Sequence, residues 1–326
     1  MSNESRLAQL AHDDGAAGQA TVLESTALAQ DGVANGGLRL NWPVIAAFFA
    51  IYVIWGSTFL GIRIAVLLVP PWFCAGVRFF TAGVVLFAYA RLTGVKAPTG
   101  REWRSLAVLG MLMFAVTYGA LFWAEQYVPS GITSVLEAMI PLFTMGLEVF
   151  VLRQQRFHPR ALVAVVVGFA GVAVMLLRTG GNFVQVWPCV VVMIAGMAWS
   201  LGAVLTGVKR GRWAVALPDS RVLTSGAQMM IGGAVLLAAS AAKGEMHPFP
   251  AIPVKAAWAL AYLIVAGSLV GFTAFVYLLG KMPASRVASH AYVNPVVALA
   301  LGYFVGGETI TARTLAGRGW CWQASY

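Results

Sequence analysis

Long apolar runs, each close to 20 residues, recur along this 326-residue chain and constrain its fold more than any other feature. A run of about 20 apolar residues spans the hydrocarbon core of a bilayer as a helix. The chain is 60% hydrophobic and only 10% charged, whereas a soluble domain is about 25% charged. We therefore predict an all-α, polytopic transmembrane helix bundle. Its apolar segments lie at about 43–62, 71–90, 104–124, 131–151, 161–177, 185–207, 222–241, 256–279 and 287–305.

The first 42 residues differ in composition from the rest, because they are polar and rich in small residues. They lack the basic and apolar regions of a cleavable signal peptide. We expect residues 1–42 to form a disordered cytoplasmic tail. The net charge of +10 does not indicate a nucleic-acid partner, because the Lys and Arg residues sit in alternating short loops.

The distribution of these basic residues predicts the orientation in the membrane. Lys and Arg are concentrated in the N-terminal tail and the even-numbered loops, whereas the odd-numbered loops contain few, namely Arg178, Lys243, Lys255 and Arg313, besides Arg63 directly after the first segment. Basic loops stay in the cytoplasm. We therefore expect a multi-pass protein of the inner (plasma) membrane with its N-terminus in the cytoplasm.

An internal repeat five helices long is visible in the sequence. Pro129 and Pro141 recur as Pro283 and Pro295 at one offset of 154 residues, and "AGVRFFTAGVVLF" (75–87) resembles "SGAQMMIGGAVLL" (225–237) at an offset of 150. Because five is odd, the second copy enters the membrane from the opposite side. The two copies then have inverted topology, an arrangement typical of secondary transporters with a substrate site near the midplane.

These segments resemble the EamA type of the drug/metabolite transporter superfamily. The resemblance rests on "WGSTFLGIRIA", "AGVRFFTAG", "YVPSGITSVLEAMIPLF" and above all "MPASRVASHAYVNPVVALALGYFVGGE" (282–308). It implies ten helices in two inverted EamA repeats, 43–178 (helices 1–5) and 185–326 (helices 6–10), and export of small metabolites or drug-like solutes. The sequence departs from the family after "TARTLAG", where "RGWCWQASY" follows. We therefore expect the tenth helix to be incomplete.

Glu137 lies in an apolar run one turn before Pro141. A carboxylate at this depth is costly, so it is expected to be protonated, paired or turned toward water. Each option suits a proton-coupled carrier or one that binds an amino-bearing solute; a hydrogen bond to a neighbouring helix is the alternative. Pro141 and its counterpart Pro295 each remove one helical hydrogen bond, so both are predicted to kink their helices and expose carbonyls to a cavity.

Further polar residues are predicted to lie along the same pathway. Arg78, whose repeat counterpart is Gln228, could neutralise a substrate carboxylate, pair with Glu137 or Glu125, or contact only carbonyls. His290 could shuttle protons or hydrogen-bond a neighbouring helix. Tyr292 and Asn294 could offer a hydroxyl and an amide to a solute. The matching tryptophans of the first and sixth segments, which could line the cavity, are Trp55 and Trp199.

Signatures of enzymes and metal sites are missing from the sequence. It contains no P-loop, no Rossmann glycine pattern after a strand and no histidine pair with metal-ligand spacing. We expect no enzyme activity, no cofactor and no metal. The expected partners are a small-molecule substrate, the lipid bilayer and, as candidates, protons and a second copy in a homodimer. The predicted function is secondary export by alternating access; an uncoupled facilitator or exchanger, or a non-transporting membrane protein, is the alternative.

Overall fold

The computed structural model has helices and no strands among the residues that it describes. The chain divides into two compact units, Met1–Ile45 and Ala46–Tyr326. Of the first unit only residues 42–45 are described, and they are helical. The predicted disordered tail and the tenth helix lie outside the described residues. The structure describes residues 42–151, 163, 167, 186–208, 213–279, 281, 287 and 289–308.

Seven of the described helices are long and apolar enough to cross a membrane. An eighth, α8, is a shorter helix of 15 residues, His290–Phe304. The predicted segments match these helices to within a few residues, except that the segment at 161–177 lies outside the described part of the chain. The prediction of an all-α, polytopic membrane fold is confirmed. The seven are α1 (Trp42–Val66), α2 (Pro71–Leu92), α3 (Gly100–Ala124), α4 (Ser130–Val151), α5 (Val186–Gly207), α6 (Arg221–Ala242) and α7 (Val254–Leu278).

Glycines bring α2 and α6 into backbone contact. A Cβ atom added to Gly83 would lie 2.3 Å from the backbone nitrogen of Met230, and one added to Gly233 would lie 2.3 Å from that of Phe80. No side chain fits at either position. Small residues at such crossings let membrane helices approach closely and gain van der Waals contact.

These contacts obey a half-turn symmetry. The repeat offset of 150 converts Phe80 into Met230 and Gly83 into Gly233, so it exchanges the two contacts with each other. The contacts of Gly76 with Leu237 and of Gly226 with Phe87 are exchanged in the same way. The two helices run antiparallel and the interface is isologous. The α2 copy and the α6 copy therefore have opposite orientations, as an inverted repeat requires.

The remaining inter-repeat contacts follow the same symmetry. Helix α1 packs against α7 and α8 of the second repeat, and its counterpart α5 packs against α3 and α4 of the first. Widened π-helical turns also occur at matching places, Met111–Val116 in α3 and Leu263–Val270 in α7. The two halves are thus built to one plan and interlock around a common axis.

Two carboxylates of the second repeat cap helices of the first. Glu308 accepts hydrogen bonds from the backbone nitrogen of Ser130 (2.9 Å), its hydroxyl (2.8 Å) and the backbone nitrogen of Gly131 (3.3 Å) at the start of α4. Glu245 accepts from the backbone nitrogen of Phe73 (3.1 Å) near the start of α2. Negative charge at a helix N-terminus satisfies free N–H groups and is favoured by the helix dipole.

Substitution of the contact glycines tests the symmetric crossing. Gly83→Ala and Gly233→Ala should each destabilise the protein by about 1–3 kcal/mol or more, because each methyl group would push backbone against backbone. The two effects should be similar, since the half-turn makes the sites equivalent. Thermal unfolding in detergent micelles measures the loss. Gly146→Ala is the control, because nothing lies within 4 Å of its added Cβ; equal melting temperatures for all three variants would contradict the proposed packing.

Candidate functional site

A cavity of about 630 Å³ lies between the repeats. This volume is typical of sites for small organic ligands. Helices of both repeats line it, and the lining along α4 runs from Glu137 through Pro141 to Glu148, close to one face of the helix. Seven of the predicted pathway residues lie on its wall: Trp55, Arg78, Glu137, Trp199, His290, Tyr292 and Asn294.

The cavity wall is strongly aromatic. Trp55 packs on Phe272 and Phe275, with ring centroids 5.2 and 5.1 Å apart, and its indole nitrogen donates to the carbonyl of Gly267 (3.0 Å). Trp199 meets Tyr118 edge-on at 6.1 Å. Rings held by neighbouring rings and a hydrogen bond form a rigid surface on which an apolar or planar part of a solute can pack.

Arg78 places an almost fully enclosed cation at this wall. Its side chain is 2% exposed, and its Nε donates to the hydroxyl of Ser268 (3.0 Å). The guanidinium carbon lies 4.7 Å from the centroid of the Phe79 ring and 5.5 Å from that of Tyr118. Cation–π contacts of this kind partly offset the loss of water. Its Nη1 has no hydrogen-bond partner among the described residues, so one donor is left for a ligand.

Glu137 supplies the opposite charge on the same cavity. Its Oε1 is buried and has no hydrogen-bond partner in the described part of the chain. Nor does the structure pair it with Arg78 there, which was one of the sequence-based options. A buried carboxylate oxygen without a donor is costly, so either a proton or a ligand donor would stabilise it.

The helix that carries Glu137 is interrupted directly after it. The first part of α4 ends at Glu137, and a new helical segment begins at Ile140. Pro141 has no N–H to offer the carbonyl of Glu137. In α8, Pro295 likewise withholds its N–H from the carbonyl of Ala291, although this helix is continuous. Glu137 and Ala291 both line the cavity and match at the offset of 154, so the two prolines free equivalent carbonyls there.

His290 and Asn294 form a polar pair on the wall of the cavity. In one orientation of the Asn294 amide, each of its contacts joins a donor to an acceptor. Its nitrogen then donates to the carbonyls of Ile51 (3.3 Å) and Tyr52 (3.2 Å), and its oxygen accepts from Nδ1 of His290 (3.3 Å). This bond places a hydrogen on Nδ1, and in the neutral imidazole Nε2 is then an acceptor. The ring also meets Trp55 edge-on at 4.9 Å.

Gln228 is placed differently from the other predicted pathway residues. It is 5% exposed on α6 and lies outside the cavity lining, with its Nε2 unpartnered among the described residues. The repeat pairs it with Arg78 in sequence, but only the arginine reaches the cavity. The structural reason is that α6 contributes no residue to this wall. Pro295 is also absent from the lining.

Sequence reasoning named Glu125 as a partner for Arg78 but missed the other charges that the structure brings near it, and none of Glu125, Arg63 and Glu308 lines the cavity. Glu125 is 0% exposed, and neither of its carboxylate oxygens has a hydrogen-bond partner within the described residues. Arg63 donates to its backbone carbonyl instead. Glu308 lies close enough to interact with Glu125 electrostatically. Glu125 lies 62 residues from Arg63 and 183 from Glu308 in the sequence, and no motif links them.

Within the described ranges, no group of three His, Cys, Asp or Glu residues could hold a metal ion. The arrangement offers a free guanidinium donor, a free carboxylate oxygen, an imidazole acceptor and two free carbonyls around an aromatic chamber. Such a set can bind a small polar solute reversibly.

Comparison with known proteins agrees with this architecture. The model of the EamA-like transporter family matches the chain twice, at residues 42–177 and 186–321. A solved crystal structure shares the fold, with a TM-score of 0.60 and 16% sequence identity over 86% of this chain and 94% of that one. The chain belongs to the EamA-like transporter family, and the predicted two-repeat plan is confirmed.

Named relatives include an inner membrane transporter. The chain is 36% identical over 273 residues to the uncharacterized inner membrane transporter YedA of Escherichia coli strain K12, covering 82% of this chain and 85% of YedA. It is 26% identical over 300 residues to a chloroplastic WAT1-related protein of Arabidopsis thaliana, covering 88% of this chain and 69% of that protein. The protein is therefore a multi-pass membrane transporter.

Asn294→Leu tests the polar pair. The leucine keeps a similar volume but leaves the carbonyls of Ile51 and Tyr52 without the amide donor, so stability should fall by about 1–3 kcal/mol. Unfolding in mixed micelles measures this change. Tyr292→Phe is the control on the same helix, because its hydroxyl makes no hydrogen bond with the described residues, and its stability should be unchanged. An equally stable Asn294→Leu protein would contradict the assigned bonds.

Proposed function

We propose that the protein is a secondary carrier that exports a small organic solute by alternating access around the cavity between its repeats. The proposal rests on two residues of opposite charge that line the same cavity, Arg78 and Glu137. Nη1 of Arg78 and Oε1 of Glu137 have no hydrogen-bond partner among the described residues. An enclosed charge without a partner is costly. A solute bearing both an anionic and an amino group would satisfy both, and its remaining surface would pack on Trp55 and Trp199.

The shape of the cavity supports an inward-facing state. Its lining follows α4 toward Glu148, at the end that the basic loops predict to be cytoplasmic. At the opposite end of α4, Glu308 ties the second repeat to Ser130. Rocking of the repeats would break this tie and close the Glu148 end. On this proposal the carrier resides in a cell inner membrane with a cytoplasmic N-terminus.

Coupling to protons is part of the proposal, because Glu137 offers a site where a proton and a solute amine compete. Export would then be driven by proton entry, with no need for a nucleotide site or a catalytic group. An uncoupled facilitator or exchanger would use the same cavity without this competition. Homodimer formation stays a prediction.

Flux measurements in reconstituted vesicles test this function. Vesicles loaded with amino acids, nucleosides or cationic dyes should show saturable efflux of one solute class. Arg78→Gln should raise the half-saturation concentration at least about tenfold, since a charge-assisted contact contributes about 1.5–3 kcal/mol. Glu137→Gln should abolish the response to a pH gradient and retain solute exchange.

Asp219→Asn is the matched control, because it removes an exposed carboxylate that does not line the cavity. It should leave flux unchanged. Saturable flux that neither cavity variant alters would exclude this cavity as the pathway, and the absence of flux for every class would favour a non-transporting membrane protein.

A further inference from the structure

Glu125 is a buried acidic residue that does not line the cavity described above. It follows α3 directly and precedes α4, so it lies outside both membrane-spanning helices. Both of its carboxylate oxygens are enclosed and without hydrogen-bond partners among the described residues. Burial is the main cause that raises the pKa of Glu125 well above its usual range, and the charge of Glu137 is the second. Arg63 and Arg78 lower this pKa.

Among the described residues, four charged groups interact electrostatically with Glu125. They are Arg63 from α1, Arg78 from α2, Glu137 from α4 and Glu308 beyond α8. The phenol of Tyr118 in α3 interacts electrostatically with both Arg78 and Glu137. With every carboxylate ionised, three negative charges face two positive ones. An enclosed net charge is expensive, so the group is balanced when one carboxylate holds a proton.

The three carboxylates of this group differ in the hydrogen bonds that they accept. Glu308 accepts three hydrogen bonds, two of them from backbone N–H groups at the start of α4. Such bonds and the helix dipole favour the charged form. Glu125 has no hydrogen bond on either oxygen, and Glu137 has none on its buried oxygen. The proton therefore belongs to one of these two residues.

We propose that Glu125 and Glu137 share a single exchangeable proton. Glu125 is the enclosed site of this proton, and Glu137 is its site on the cavity wall. A cationic group of a solute that binds Glu137 stabilises its anion, so the proton moves to Glu125. When the solute leaves, the proton can return to Glu137. The balance is one proton moved between two carboxylates, with no change in the total charge. This coupling rests on the proposed carrier function, but the proton site itself does not.

Infrared spectroscopy of the full-length protein in lipid nanodiscs tests the site without any solute. A protonated carboxyl group has a C=O stretch that shifts on exchange into D2O. The difference spectrum of wild type minus Glu125→Gln should show the loss of one such group at neutral pH. Wild type minus Glu137→Gln should show the same loss, because either substitution leaves two carboxylates facing two arginines.

Removal of a positive charge from this group should increase the infrared band of the protonated carboxyl group. Arg78→Gln leaves one arginine facing three carboxylates, so the protonated signal of this group should grow about twofold. Asp219→Asn should give no difference in this band, since its carboxyl is exposed. Melting curves show which variants are folded, and if Glu125→Gln does not fold, Glu137→Gln and Arg78→Gln decide the matter.

The outcomes separate this inference from the carrier proposal. A band that survives in Glu125→Gln or in Glu137→Gln, or a wild-type protein without it, overturns the shared proton. Loss of the band in both variants, with no flux of any solute in vesicles, keeps the proton site and overturns the carrier. Saturable flux together with an unchanged band does the reverse.

Discussion

The backbone contact between α2 and α6 is the constraint on which the rest of the structure depends. Gly83 and Gly233 let two antiparallel helices touch where any side chain would collide, and the contact repeats itself through a half-turn. Lipid supplies no hydrophobic drive for helix association, so close van der Waals packing has to hold the halves together. Residues of α1, α3, α4, α5 and α8, which come from both repeats, line most of the cavity. The polar chamber is thus a consequence of the symmetry.

The chamber then breaks the symmetry that creates it. At matching positions the first repeat has Arg78 and Glu137, whereas the second has Gln228 and Ala291. Only the first members of these pairs line the cavity with charge. The second repeat contributes His290, Asn294 and the free carbonyl of Ala291 instead. A scaffold of two equal halves therefore holds a site with distinct ends, which is what recognition of an asymmetric solute needs.

The sequence predicted the features that repeat or that lipid makes costly. Apolar length located the membrane helices, and the register of Pro141 with Pro295 located the repeats. The charges in apolar runs, Arg78 and Glu137, proved to lie on one cavity. Side-chain direction was beyond such reasoning: Gln228 matches Arg78 in sequence yet lies off the cavity, because helix rotation decides which face points inward. The cap of Ser130 by Glu308 was equally hidden, since it joins residues 178 positions apart in the sequence.

The isologous crossing also says something about origin. Because Gly83 meets the counterpart of Phe80, and Gly76 meets the counterpart of Phe87, the α2 ridge is complementary to itself. A lone ancestral half, inserted in both directions, could have docked on its own inverted twin through this ridge. Gene duplication and fusion would then have fixed one copy in each direction. Two halves of one chain can differ in sequence, whereas two copies of one short chain cannot, so only a fused pair can carry Arg78 and Glu137 once each.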